Sequence, residues 1–252
     1  MSKLLFLAVA AAFVSTSCRK PQAPGAELTP ADTPRGTITG HVHLTGPPPG
    51  KEPLGLRADP MCVKAAAGRI LLQETVVASP DGSLANVLVQ LSGDFPEVPV
   101  PSEPVTIDQS ACVYSPRVVG VQVGQPLRVK NSDPGLHNVH GESTGSDRFN
   151  VGQPMADMVN TFQLRNEGLL RLRCDVHVWM VAYVGVVKHP YFAVTNATGT
   201  FTIRDVPPGS HTIEAWHERY GPLTSAVTLE PGSAANVDFT YSGSEKTPDA
   251  WR

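Results

Sequence analysis

The sequence predicts an all-β protein made of a Greek-key sandwich and a second, smaller β-sandwich. Three observations carry this. The 252 residues include 22 Gly and 24 Pro, a load that opposes long helices. Short runs rich in Val and Thr alternate polar and apolar residues between turn signals, the period of a half-buried strand. The rhythm then restarts after Pro190. Hydrophobic residues make up 41% and charged residues 17%, enough apolar surface for a packed core. The net charge is −3 with no Lys/Arg block, which counts against a nucleic-acid partner.

Residues 1–18 read as a signal peptide. A short positive start precedes the apolar residues 4–14 (LLFLAVAAAFV), too short for a span and suited to a secretory core region. Ser15-Thr16-Ser17-Cys18 resembles a bacterial lipoprotein cleavage box, with Ser15 where a branched apolar residue is usual. Lipidation of Cys18 or simple cleavage nearby are the two readings. Both place the mature chain outside the cytoplasm, in the periplasm or on the outer cell surface, with membrane attachment by a lipid anchor only. Residues 19–35 form a Pro/Ala tether.

Residues 36–104 form an N-terminal β segment. It has a strand at 36–44, a short helix at 60–67, a strand at 84–91 and a Pro-rich stretch at 96–104. His41 and His43 share one face of the first strand and read as solvated side chains rather than ligands. Residues 105–188 carry strands at 105–107, 118–122, 126–131, 137–140, 159–164, 169–174 and 181–187, an antiparallel Greek-key rhythm. Residues 189–242 carry strands at 192–194, 200–204, 211–217, 227–229 and 237–241. Residues 243–252 are a polar, mobile tail.

Beyond Cys18 there are three cysteines, Cys62, Cys112 and Cys174. In an exported chain two can pair, leaving one that needs a role. A Cys62–Cys112 disulfide is the expected pairing; separate buried thiols or a different odd cysteine are the alternatives. The informative stretch is Cys174-Asp175-Val176-His177-Val178-Trp179-Met180. Leu170, Leu172 and Cys174 share the inward face of the preceding strand, so the thiol aims into the sandwich. Thiolate, imidazole and thioether within seven residues form a soft donor set. One further imidazole completes the His2Cys site with axial Met that holds electron-transfer copper. His137, after the turn Ser132-Asp133-Pro134-Gly135, offers it.

At these residues the chain resembles the cupredoxins. Gly124-Gln125-Pro126-Leu127-Arg128-Val129-Lys130-Asn131-Ser132-Asp133 followed by His137-Asn138-Val139 is similar to their run before the first ligand, and the Cys174 loop has the short spacing of amicyanin. The resemblance covers about residues 105–188. It implies one type 1 copper ion bound by His137, Cys174, His177 and Met180, with Asn138 pinning the two ligand loops together. It also implies that the ring edge of His177 reaches the surface, where a redox partner docks near Trp179 and Val178. His140, three residues after His137, points to the other face. Met155 and Met158 read as loop packing rather than an auxiliary Cu(I) site with His140.

The run Gly199-Thr200-Phe201-Thr202-Ile203-Arg204-Asp205-Val206-Pro207-Pro208-Gly209 resembles the carboxypeptidase regulatory-like domain, a prealbumin-like sandwich likened to carbohydrate-binding folds. Gly36-Thr37-Ile38-Thr39-Gly40 resembles that module's first strand, so one reading is a split domain with the cupredoxin inserted. Trp216-His217-Glu218 reads as packing against the neighbouring domain. No nucleophile elbow, zinc-protease helix or phosphate loop occurs, so an enzyme is not expected. The function expected is single-electron carriage between redox partners. A copper carrier or sensor using the same ligands, and a surface scaffold binding polysaccharide or protein, are the alternatives.

Overall fold

The computed structural model describes residues 33–145 and 147–245. The signal peptide, Cys18, residues 19–32 of the tether and residues 246–252 of the tail lie outside the described residues. In chain order the strands are β1 (Gly36–Leu44), β2 (Leu88–Ser92), β3 (Val105–Ser110), β4 (Val113–Ser115), β5 (Val118–Gln122), β6 (Pro126–Asn131), β7 (His137–Ser143), β8 (Arg148–Gln153) and β9 (Val159–Gln163). They continue as β10 (Gly168–Arg173), β11 (Val181–Val187), β12 (Phe192–Val194), β13 (Thr200–Val206), β14 (Gly209–His217), β15 (Gly221–Leu229), β16 (Ala234–Asn236) and β17 (Phe239–Tyr241). Between β1 and β2 lie a 3-10 turn (Leu56–Ala58) and one short helix, α1 (Pro60–Ala65). Among the described residues no helix is long and apolar enough to cross a membrane.

The first sandwich packs a five-stranded sheet, β5-β11-β10-β7-β8, on a four-stranded sheet, β4-β3-β6-β9. Its core includes Ile107, Val121, Leu127, Val129, Val139, Leu170, Leu172 and Val184. Most pairs are antiparallel, but β3 and β6 run parallel, as do β5 and β11. Successive strands here cross between sheets, so sheet neighbours are distant in sequence and need not alternate in direction. β8 was not among the strands expected from the sequence. Its solvent-facing positions and lone Val151 and Phe149 carry too little apolar periodicity to distinguish an edge strand from a loop.

The second sandwich is closed by strands from both ends of the chain. One sheet places β1 between β13 and β16, with β17 also paired to β1; the other runs β12-β2-β14-β15. Ile38, Val42, Val89, Leu91, Phe201, Ile203, Ile213 and Tyr241 share one core. Residues 36–104 are therefore not one β segment. β1 and β2 complete the C-terminal sandwich, whereas Leu56, Cys62 and Ala66 between them are buried in the core of the first. Hydrophobic burial sets this division: the strands alternate and fit a sheet, while the α1 segment offers one apolar side to the open end of the inserted sandwich.

The sandwiches meet along β2 and β12 on one side and β5 and β11 on the other. Leu88, Val118, Tyr183 and Trp216 form a separate buried cluster at this seam. Trp216 packs edge-on to Tyr183 with ring centroids 5.2 Å apart, and Arg117 pairs with Glu218 through two contacts. In the same stretch His217 is fully buried and stacks on Tyr220. Trp216-His217-Glu218 is thus packing and an ion pair. His41 and His43 are half-buried rather than solvated. Their rings lie 3.9 Å apart and His41 Nε2 is 3.0 Å from Ser83 Oγ.

Candidate metal centre

The centre is assembled where β7 begins and β10 ends. Asn131, at the end of β6, builds the approach. Its buried Nδ2 donates to the carbonyls of Gly135, Gln153 and Met155, and its Oδ1 accepts from Asp133 N–H. One side chain thereby satisfies the backbone of the tight turn that delivers His137 into the core. Asp133 then links three elements. Its carboxylate accepts from the Ala111 and Cys112 N–H groups, each at 2.8 Å, and lies 2.9 Å from His137 Nε2. Ala111 and Cys112 both have positive φ, 55° and 56°, the pair a type I′ hairpin requires and non-Gly residues resist. Asp133 holds that strained β3–β4 turn closed.

The Cys174 loop follows the inward face of β10. Cys174 N–H donates to the Met180 carbonyl and Met180 N–H to that of His177, which folds the seven residues back on themselves. Asn138 ties this loop to β7. Its backbone N–H reaches Cys174 Sγ at 3.5 Å, its Oδ1 accepts from Asp175 N–H, and its Nδ2 donates to Asp175 Oδ2. His140 points to the opposite face, as its place on β7 requires, and pairs with Asp175 at 2.9 Å.

His137, Cys174 and His177 converge. His137 Nδ1 lies 3.0 Å from His177 Nδ1, and Cys174 Sγ lies 3.8 Å from the same nitrogen. The three donor atoms all fall within 4.8 Å of one another. An ion bound at about 2.0 Å to nitrogen and about 2.3 Å to sulfur in a flat three-coordinate site sets its donors roughly 3.5 and 3.7 Å apart. The cluster therefore fits a single ion with little adjustment. Met180 is 1% exposed in the core that also holds Cys174. Met155 is exposed, and His140 joins no donor cluster among the described residues.

Burial opposes charge on His137, but Asp133 and the Cys174 sulfur outweigh it and raise the imidazole to about 9. Burial also pushes the Cys174 thiol up. His137 and the N–H groups of Asn138, His177 and Val176 pull it down further, to about 6. Near neutral pH the pair is thus a thiolate beside an imidazolium. The environment stabilises the ligand form of the sulfur, and a proton stands where a cation would be held.

The surroundings of His177 differ from the sequence expectation. Its ring edge does not reach the surface: His177 is 2% exposed. Nε2 lies 3.1 Å from Asp59 Oδ2 and 3.4 Å from Cys62 Sγ. Both covering groups belong to the start of α1, which Cys62 ties to Cys112 by a disulfide. Trp179 is half-buried and donates from Nε1 to the Cys112 carbonyl. Val178 is 83% exposed, and Val176 and Leu136 are also exposed beside the two histidines. Sequence reasoning had assigned no role to Asp59 or Asp133. Asp59-Pro60 carried a readable sign of a helix start, but its contact with a residue 118 positions away had none.

Residues 180–242 match the carboxypeptidase regulatory-like domain family. That match begins at Met180, just before β11, which pairs with β5 and β10 in the first sandwich, while β1 supplies the paired strand beside β13. Solved cupredoxin structures resemble part of the chain. A purple cupredoxin from Nitrosopumilus maritimus is 23% identical over 32% of this chain and 97% of its own, with a TM-score of 0.29. A variant of amicyanin in its Cu(I) form is 19% identical over 39% of this chain and 97% of its own, with a TM-score of 0.30. A Cu-containing nitrite reductase from Thermus scotoductus SA-01 is 17% identical over 40% of this chain, with a TM-score of 0.33; the match spans 26% of that enzyme. No curated protein sequence matches the chain. Fold and site together describe an all-β protein in which a sandwich bearing a buried His2Cys cluster is inserted between the strands of a second sandwich.

Proposed function

We propose that this protein binds one copper ion of type 1 through His137, Cys174, His177 and Met180 and carries single electrons between redox partners. The observation that carries the reading is the convergence of two imidazole Nδ1 atoms and one thiolate sulfur at 3.0 and 3.8 Å. Soft and borderline donors in a three-coordinate set suit copper better than a carboxylate-rich ion. Copper held there supplies a one-electron couple. The chain does the rest. Asn138 N–H stabilises charge on Cys174 Sγ, and Asn131 and Asp133 hold the His137 turn rigid. α1 and its disulfide exclude water from His177. Fixed ligands in a dry core keep structural rearrangement on electron transfer small.

Copper carriage is less well supported. A carrier must exchange its ion, and ligands that are 0–2% exposed under a disulfide-tethered cover favour retention. Exposed Leu136, Val176 and Val178 form an apolar rim for a docking redox protein. Export and lipid attachment at Cys18 are part of this proposal, with the couple in the periplasm or on the outer cell surface. The test is a visible spectrum of the copper-loaded protein beside Cys174→Ser. An intense thiolate-to-copper absorption that vanishes in the variant supports the reading. Identical spectra for both overturn it.

A further inference from the structure

We propose that Asp59 is a positioning residue for the metal centre: it fixes the tautomer and orientation of His177 from the segment between β1 and β2. The inference rests on the copper reading above for its functional meaning, but its structural basis does not. The two carboxylate oxygens of Asp59 have different tasks. Oδ1 accepts from Met61 N–H at 2.7 Å and caps α1; Oδ2 lies 3.1 Å from His177 Nε2. A carboxylate only accepts, so Nε2 carries a ring hydrogen, and in the neutral imidazole Nδ1 then presents its lone pair. That lone pair faces His137 Nδ1 and Cys174 Sγ.

The arrangement repeats on the other histidine, where Asp133 Oδ2 accepts from His137 Nε2 at 2.9 Å. Both imidazoles are thus oriented by a carboxylate on their outer nitrogen, a pairing that raises ligand basicity as well as fixing the ring. The two carboxylates reach the site by different routes. Asp133 comes from the turn preceding β7, within the same sandwich. Asp59 comes from the excursion between β1 and β2, strands of the enclosing sandwich, and is held over the centre by the Cys62–Cys112 disulfide. The enclosing module therefore contributes part of the metal site. The same contact covers the His177 edge that the sequence comparison would have left to solvent.

Asp59→Asn is the discriminating substitution. The amide oxygen keeps the cap on Met61 N–H, which leaves the NH2 group facing Nε2 and forces His177 to accept there. The ring hydrogen then moves to Nδ1 and blocks the ligand position. Nitrogen NMR of the metal-free parent, recorded at a pH where His137 is neutral and its Nδ1 can accept, should show His177 protonated at Nε2, and Asp59→Asn should show the hydrogen on Nδ1. Copper affinity, read by competition with a Cu(I) chelator, should fall on the order of 10–100-fold. Asp59→Ser keeps a capping oxygen but offers Nε2 no carboxylate; it should give a mixture of tautomers and an intermediate loss. Unchanged Nε2 protonation in both variants overturns the proposal, as does unchanged affinity in Asp59→Asn. If the parent fails to bind copper, the copper reading falls, while the tautomer measurement still decides the role of Asp59.

Discussion

Leu88 of β2 occupies the space that a side chain at Gly185 of β11 would need. A Cβ built on Gly185 falls 2.2 Å from Leu88 Cδ2. Its register partner on β5, Gly120, faces Phe192 in the same way, with the ring carbons 2.4 Å from a built Cβ. Two adjacent glycines thus make a bare strip on the first sandwich into which β2 and β12 of the second press. Gly185→Ala should destabilise the protein by about 1–3 kcal/mol through overpacking. Leu88→Ala in that background should recover part of the loss, a non-additivity measurable by urea unfolding of the four proteins in the cycle.

The ion pair at the same seam should respond asymmetrically. Arg117 is 14% exposed and Glu218 5%, so neither charge finds much water if its partner is removed. Glu218→Ala should cost about 3–5 kcal/mol, whereas Arg117→Met with Glu218→Leu should cost far less, because no unpaired charge remains buried. Denaturant midpoints of the three proteins check this.

Reduction of the Cys62–Cys112 disulfide frees a loop of 50 residues. Replacing both cysteines by serine should lower stability by about 4 kcal/mol in the chain-entropy account. It should also release α1 from His177, so that copper exchange with an added chelator speeds up along with the loss in guanidinium stability. A double-serine protein with parental exchange rates would show that the helix stays seated without its covalent tie.

His217 supplies a pH signature. Burial, with Arg117 and Arg219 nearby, lowers its pKa to about 3, and its Nδ1 accepts from Arg219 N–H. The folded state keeps this ring neutral while the unfolded chain protonates it near the ordinary value of 6.5. Between these values the unfolded state binds the extra proton, so this contribution is complete above pH 6.5 and is lost as pH falls toward 3. His217→Phe should be the less stable protein at pH 7. The gap to the parent should narrow below pH 6.5 at about 1.4 kcal/mol per pH unit, read from thermal or urea unfolding across pH 4–7.

Much of the centre was legible because its donors are chemically conspicuous and locally clustered. Cys174, His177 and Met180 lie in one seven-residue loop, and the alternation of Leu170 and Leu172 already aimed the sulfur inward. Asn131 and His137 stood at a strand end and a turn. The strand rhythm likewise revealed an all-β chain. Edge strand β8 was missed because only Phe149 and Val151 mark its apolar alternation, too short a run to separate an edge strand from a loop.

By itself the sequence determined the β class, the crowding of thiol, imidazole and thioether into residues 174–180 and the direction in which Cys174 faces, since all three follow from side-chain period and spacing within a few residues. Only the tertiary structure decided that β1 and β2 close the sandwich of β12–β17 and that α1 leaves that sandwich to cover His177. It also decided that Asp59, rather than solvent, meets the ring's outer nitrogen. Those outcomes depend on which apolar faces and buried polar atoms remain unsatisfied once distant segments have folded, and the local order of residues does not encode that.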